Sequence, residues 1–417
     1  MTTWSVRGTA ARRPLHARAM HRDSPLRRLD WVLLLSVLTL ALLGALLVWS
    51  ATRSYNASRN LDPQAFLKRH LVNLAIGLVL GTVAALFDYR TLRAYAPVVY
   101  VASVVGLVAV LSPLGSTING SHSWIVLGGG FQVQPSEFAK VALVVGLAML
   151  LGEKRDGEDG PRHSDILLAL ALSAVPVLLV LRQPDVGTVM VLAFVVLGVL
   201  AVSGAPARWV AGLLLAAVLG AVLIASLHLL KDFQVQRFTA FANPSSGSHS
   251  YGYNTTQARI AIGSGGLFGK GLFQGTQTNG HFVPEQQSDF VFTVAGEELG
   301  FAGAGLLIVL TGLVLWRGLR IAGRADDAFG TLVATGVVCW FAFQAFENIG
   351  MTIGIMPVTG LPLPFVSYGG SSMFANLIAI GLLQNVHLHS QEGRGPTSFP
   401  APLSRQPAQT SSFMVVR

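Results

Sequence analysis

One acid stands where a polar segment turns into an apolar one. In Phe282–Phe301, FVPEQQSDFVFTVAGEELGF, Asp289 marks the junction, and Glu297 and Glu298 follow two turns further in. A carboxylate at the mouth of a membrane helix is costly unless it faces a cavity or a partner, so Asp289 is a candidate for proton transfer or ligand binding. The alternative is structural, with Ser288 or Asp289 as an N-cap that satisfies the first free N–H groups of the helix. On a continuous helix Glu297 and Glu298 lie about 12 to 14 Å beyond Asp289, too far to share its proton. They read as packing or ion-pair partners of an Arg or Lys elsewhere.

Four further constellations carry polar chemistry. In NGSHSWIVLGGGFQVQPSEFAK, Asn119–Lys140, Trp124 fits a membrane interface and Pro135 suits a first helical turn. Glu137 and Lys140 share one helical face there. Two readings stand: an ion pair that lets both charges enter the membrane, or a polar wall in which Lys140 meets an anionic head group. Arg182-Gln183-Pro184-Asp185 reads as a charged tight turn between two spans. A Gly-rich stretch, IAIGSGGLFGKGLFQGTQTNG from Ile260, follows Arg237 and Arg259 and contains Lys270. Its glycines suit either a phosphate-binding nest of backbone N–H groups or a re-entrant loop lining a cavity. Gly271 follows Lys270 where a P-loop needs Ser or Thr, which excludes that motif. Finally MPVTGLPLPFVSYGGSSMFAN, Met356–Asn376, reads as a non-helical entry to a cavity, with hydroxyls at Tyr368, Ser371 and Ser372. His122, His281 and Glu285 lack metal-ligand spacing, so no zinc site is assigned. A divalent cation bridging a pyrophosphate would need only one or two carboxylates and stays open.

The elements that must position these residues are membrane helices. Only 12% of the 417 residues are charged, about half the share of a soluble domain, and the mean hydropathy is +0.57. The basic residues behind the net charge of +9 sit in tails and loops, with no basic domain to hold a duplex, which argues against a nucleic-acid partner. The single cysteine, Cys339, excludes a disulfide framework. About ten spans are expected: Trp31–Ser50, His70–Phe87, Tyr95–Leu111, Pro135–Gly152, Asp165–Leu181, Val186–Val202, Ala207–Leu230, Phe290–Trp316, Ala328–Ile355 and Phe365–Val386. The first is too long for a signal-peptide core and reads as an uncleaved span. The expected fold class is therefore all-α, a polytopic membrane protein. With the N-terminus inside, about 19 basic residues fall on the inner side and about 9 outside, as the positive-inside rule requires. Both termini are then cytoplasmic, and the large loop between helices 7 and 8 is extracytoplasmic. The organisation is a basic tail over 1–30, a transmembrane domain over 31–387 and a Pro/Ser/Gln-rich tail over 388–417. Asp289, the cations and the Gly-rich loop converge on the outer face, away from ATP. That combination suits a lipid-linked pyrophosphate sugar.

The motifs also carry a resemblance. QPSEFAK (Gln134–Lys140), QPDVGT (Gln183–Thr188), IAIGSGGLFGKG (Ile260–Gly271), PEQQSDFVF (Pro284–Phe292), GEELGF (Gly296–Phe301) and PLPFVSYGGSS (Pro362–Ser372) occur in one order. The chain resembles the SEDS family (shape, elongation, division and sporulation), from about Asp30 to Val386. The linker GLFQGTQTNGHFVPE is more similar to RodA, the elongation member, than to FtsW, the division member. The resemblance implies a peptidoglycan glycosyltransferase that polymerises lipid II at the outer face of the bacterial cytoplasmic membrane, with a class B penicillin-binding protein as partner. Asp289 matches the family's essential aspartate, and Trp124, Glu137 and Lys140 match positions around its cavity. Many members carry Arg immediately before that Trp, where this chain has Ser123, as some members do; this shifts the weight of phosphate binding to Arg237, Arg259 and Lys270.

On that reading the 4-hydroxyl of the acceptor displaces polyprenyl pyrophosphate from the growing glycan in one inverting step. A single carboxylate base suffices, whereas a retaining route needs a second one close by. Asp289 would be the base, Lys140, Arg237, Arg259 and Lys270 would hold pyrophosphate charge, with Ser371 at the substrate site, and Mg²⁺ or Mn²⁺ remains a candidate aid. The rivals are a lipid II flippase, a scaffold that only recruits the penicillin-binding protein, and the division or sporulation member of the same family. Most inner halves of the spans are uniformly apolar, which disfavours the flippase.

Overall fold

A computed structural model of the chain describes residues 28–87, 89–118, 121–127, 131–153, 160–226 and 251–392. Arg237, most of both tails and the Lys154–Arg155 basic pair lie outside these residues. Six described helices are long and apolar enough to cross a membrane. They are α1 (Trp31–Ser58), α2 (Ala65–Leu86), α3 (Tyr89–Leu111), α5 (His163–Arg182), α11 (Gly300–Ala322) and α12 (Ala328–Ile353). Between and beyond them lie α4 (Pro135–Leu151), α6 (Val186–Val202), α7 (Ala207–Ser226) and α13 (Gly370–Glu392). Together these are the elements of a multi-pass membrane protein, and their apolar outer faces suit lipid rather than water.

Local chemistry sets several ends. Asp30 caps α1 by accepting from Leu33 N at 3.1 Å, and Asp185 caps α6 by accepting from Thr188 N at 3.0 Å. The Arg182–Asp185 segment is thus the short turn that its sequence suggests. Pro135 opens α4 in the first turn, where its missing N–H costs nothing. Helix α12 is the hub: 72% of its apolar window is buried, against 17% for α3. One continuous apolar core joins α12 to α4, α6, α11 and α13, with Trp340, Phe341 and Val337 buried in it.

Three expectations need correction. The chain is not purely helical. Within Ser112–Gln134, β1 (Ser116–Ile118), β2 (Ser121–Leu127) and β3 (Phe131–Val133) form a three-stranded antiparallel sheet, ordered β1-β2-β3. Its register pairs Trp124 with Ser116 and Ile125 with Val133. The Gly-rich segment before Asp289 contains helices as well, α8 (Tyr251–Ser264) and α9 (Thr276–Asn279). Thirdly, the expected span from Phe290 to Trp316 is broken into α10 (Val291–Glu298) and α11. The break is at Gly300, whose φ of +68° suits glycine, and an added Cβ there would stand 2.2 Å from Gly269 N.

Candidate active site

Asp289 sits in a turn rather than at a helix cap. The amides of Ser288, Asp289 and Phe290 all donate to Glu285 O, at 3.2, 3.0 and 3.3 Å. Phe290 is the N-cap of α10 and no side chain caps it, while Ser288 Oγ turns back to Glu285. The N-cap position of this helix therefore falls on Phe290 rather than on Ser288 or Asp289. The turn is anchored from below, because Phe290 is buried in a small apolar cluster with Ala258, Val283, Met351 and Val358. It is anchored from the side by Asn348 of α12, whose Nδ2 donates to Asp289 O and to Leu361 O, each at 2.7 Å.

The non-helical entry of Met356–Asn376 closes over the same turn. Tyr368 N donates to Gln287 O at 2.9 Å, and Phe66 packs edge-on against the Tyr368 ring at 5.0 Å. Gly360 lies beside the acid, where an added Cβ would stand 3.2 Å from Asp289 Oδ2. A half-buried carboxylate thus lies between a turn, the hub helix and a Pro/Gly loop. That arrangement can orient a base or bind a hydroxyl. Ser371, at the start of α13, is buried and tied to the strand region: its Oγ accepts from Gln134 N at 2.9 Å and donates to Gln132 O at 3.2 Å.

Lys140 and Glu137 form a dry ion pair of 2.8 Å, with side chains 0% and 3% exposed. The same ammonium donates to Gln344 Oε1 at 3.0 Å and stands 4.8 Å from the centre of the Trp340 ring. Gln344 Nε2 passes the connection on to Pro362 O at 2.7 Å. Lys140 therefore reaches the loop beside Asp289 through one side chain of α12. Gln344 and Asn348 are the residues that sequence reasoning missed. Two amides four apart on one face of an apolar helix were the available signal.

The Gly-rich loop spends its backbone on protein. Gly269 N donates to Gly265 O, Lys270 N to Glu297 O and Gly271 N to Glu298 O, at 2.9, 3.0 and 3.0 Å. These three amides are not free for a phosphate nest, and Gly269 docks closely on the α10–α11 junction, where an added Cβ would stand 2.1 Å from Glu298 O. Glu297 is fully buried and gathers Lys270 Nζ (2.7 Å), Gln277 N (2.9 Å), Thr278 N (2.8 Å) and Thr278 Oγ1 (2.8 Å). Glu298 instead accepts from Ser50 Oγ of α1 at 2.6 Å. Arg259 is exposed on α8 and lies against Gly354 at the end of α12, while Trp124 is half-buried in β2. Among the described residues, no three His, Cys, Asp or Glu side chains gather as a metal-binding group.

A separate groove of about 670 Å³ runs between α2, α3, α4 and α13. Leu80, Phe87, Val99, Phe138 and Leu382 line it, and Ser103 and Asn385 are its polar members. One end of it meets the sheet at Ile125 and Val133. Such a lining accepts an aliphatic chain and offers nothing to a charged group.

Comparison with known proteins places this architecture. The family model described as cell cycle protein, FtsW/RodA/SpoVE, matches residues 30–392. The chain belongs to this family. Stage V sporulation protein E of Bacillus subtilis is 38% identical over 363 residues, covering 86% of this chain and 97% of that protein. Peptidoglycan glycosyltransferase MrdB of Escherichia coli K12 is 38% identical over 361 residues, covering 87% of this chain and 94% of that protein. Among solved structures, one reported under "structural coordination of polymerization and crosslinking by a peptidoglycan synthase complex" superposes with a TM-score of 0.72 at 32% identity. That match covers 87% of this FtsW/RodA/SpoVE chain and 98% of the solved one.

Proposed function

We propose that this chain is a peptidoglycan glycosyltransferase of the elongation type, polymerising lipid II at the outer face of the bacterial cytoplasmic membrane. The observation that carries the reading is the half-buried Asp289 carboxylate, held on a turn anchored to α12 and bordered by Gly360. The match to MrdB supports the activity, and the linker before Asp289 supports the elongation branch. The topology that goes with it has ten spans, both termini inside, and the loop after the seventh span outside. Residues 31–387 form the catalytic domain between two cytoplasmic tails.

The reaction balances on one carboxylate. The 4-hydroxyl of the acceptor sugar attacks the anomeric carbon of the donor glycan, and its proton passes to Asp289. The anomeric C–O bond to pyrophosphate breaks, the configuration inverts, and polyprenyl pyrophosphate leaves. Arg259, Arg237 and Lys270 are the cations assigned to pyrophosphate, and Trp124 and Ser371 stay with the substrate entry. Lys140 and Glu137 act from within the bundle, stiffening the loop beside Asp289 through Gln344. The apolar groove takes a polyprenyl tail. A class B penicillin-binding protein supplies crosslinking, in keeping with the synthase complex to which the fold is similar.

The test is glycan-strand synthesis from labelled lipid II by the full chain with that partner, wild type beside Asp289→Ala, with and without Mg²⁺ or Mn²⁺. Long strands from wild type and none from a folded Asp289→Ala are expected. Strands from both would remove Asp289 from the chemistry. Transbilayer movement of lipid II without strands would replace the transferase by a flippase.

A further inference from the structure

The structure assigns Asn348 as the positioning residue for the Asp289 base, an inference that rests on the proposed function of Asp289. Asn348 is fully buried, one turn and a half before the end of α12 at Ile353. Its single amide nitrogen has two hydrogens, and each has an acceptor: Asp289 O and Leu361 O, both at 2.7 Å. The side chain therefore bridges two segments that are far apart in sequence and carry the two sides of the site. One is the 285–290 turn that bears the carboxylate. The other is the loop that carries Gly360, whose Cα faces Asp289 Oδ2 closely enough that an added Cβ would stand at 3.2 Å.

The geometry is specific to asparagine. Leucine would fill the volume but donate to neither carbonyl, so both bonds would be lost. Aspartate would set a carboxylate oxygen against two carbonyl oxygens. Glutamine would add a methylene to a side chain that is already fully buried. Four residues earlier on α12, Gln344 makes the neighbouring tie to Pro362 O, so the hub helix holds the loop at two successive points. Only the Asn348 tie also grips the chain of the base itself. A base moved by about 1 Å loses on the order of 100-fold in rate, because its proton transfer depends on near-contact geometry. Binding of the lipid tail and pyrophosphate, which rests on other residues, is left intact.

The experiment measures kcat and KM for lipid II with the full chain and its class B penicillin-binding protein. Asn348→Ala is expected to lower kcat by about 10- to 100-fold while KM stays within about twofold. Asn348→Ser, whose hydroxyl can keep one of the two bonds, is expected to recover part of the lost kcat. Gly360→Ala crowds the same carboxylate from the other side and strains a backbone whose φ is +82°, and is expected to give at least the same loss in kcat. Thermal unfolding and partner binding of each variant report folding, and Asn348→Ser decides if Asn348→Ala does not fold. An unchanged kcat in Asn348→Ala, or in Asn348→Ser when only that variant folds, overturns the inference, as does a rise in KM alone. Asp289→Ala in the same assay separates the two layers. If it is inactive while Asn348→Ala matches wild type, only the positioning role falls. If Asp289→Ala stays active, the base assignment and the inference fall together.

Discussion

Two lysine–glutamate pairs stand at different depths in this chain, and they hold different things. Lys140 and Glu137 share one helix inside the bundle, with no water-facing surface on the lysine and 3% on the glutamate. Lys270 and Glu297 join a loop to a helix 27 residues away, and Lys270 keeps 27% of its side-chain surface exposed. In the first pair the lysine is the centre, with Glu137, Gln344 and the Trp340 face around it. In the second the glutamate is the centre, and the lysine is only one of its donors. A central buried cation fixes helices against one another. A central buried anion organises a loop and leaves its cation able to exchange partners. Lys270 is therefore better placed than Lys140 to meet a pyrophosphate.

The sharpest way to break this contrast is to remove one member of the dry pair. Lys140→Met leaves Glu137 buried without its cation, a change that costs about 3–5 kcal/mol. Adding Glu137→Gln to Lys140→Met should return most of that stability, since no isolated charge remains. Thermal unfolding of the detergent-solubilised chain reads both. A single mutant as stable as wild type would show that Lys140, through Gln344, is not what holds α4 to α12.

The second change acts on the loop. Glu297→Ala strips acceptors from Lys270 and from the backbone of Gln277 and Thr278, at a local cost of roughly 2–3 kcal/mol. Amide exchange should quicken over 269–280 while α4 stays protected. Quickening in both regions alike would mean that the two pairs belong to one cooperative unit.

Lys270→Met should be milder. Glu297 keeps its Thr278 and Gln277 donors, so stability should fall by less than about 1 kcal/mol, the usual worth of a partly exposed pair. If Lys270 meets the pyrophosphate, KM for lipid II should rise roughly 10- to 100-fold, the worth of one hydrogen bond to a charged group. An unchanged KM would leave Lys270 as a loop fastener only.

The same contrast shows what a linear sequence discloses. The ends of α6 and the start of α4 were legible, because Asp185 and Pro135 act through their nearest neighbours. The Glu137–Lys140 pairing was legible as well, since three residues on a helix bring side chains together without help from the fold. Glu297 read as an ion-pair partner, but its lysine lies across a loop, and no local rule names it. The Gly-rich stretch looked free to bind phosphate because its docking face, the α10–α11 break, is invisible to hydropathy. A left-handed glycine at Gly300 interrupts a run that remains apolar throughout. The β-sheet was hidden for a related reason, since its three strands are short and two of them have only three residues each. Asn348 and Gln344 were visible as polar residues in an apolar span, while their acceptors at Asp289, Leu361 and Pro362 are products of the fold.

The smallest expected effect is a pH response confined to the segment around His281. His281 lies beyond the end of α9, with its ring 4.8 Å from that of Tyr55 on α1. Gln286 Nε2, which donates to Ala51 O and Thr278 O at 2.8 and 2.9 Å, stands 3.0 Å from the imidazole Nδ1, so a proton on Nδ1 would set donor against donor. Partial burial, and next the positive Arg59, hold the imidazole below its ordinary pKa. The unfolded segment therefore takes up a proton before the folded one does, and local stability rises with pH. The contribution is complete above about pH 6.5 and is lost as the pH falls through the lower folded value. With the ring half-exposed, it amounts to less than about 1 kcal/mol. Amide exchange over 278–286 should quicken on acidification from pH 8 to 5, with α4 as the internal reference. His281→Asn, which tolerates the positive φ of 52° at this position, should flatten that response. If the wild-type segment exchanges at the same rate, corrected for intrinsic chemistry, across the whole range, the imidazole does not fasten the loop to α1.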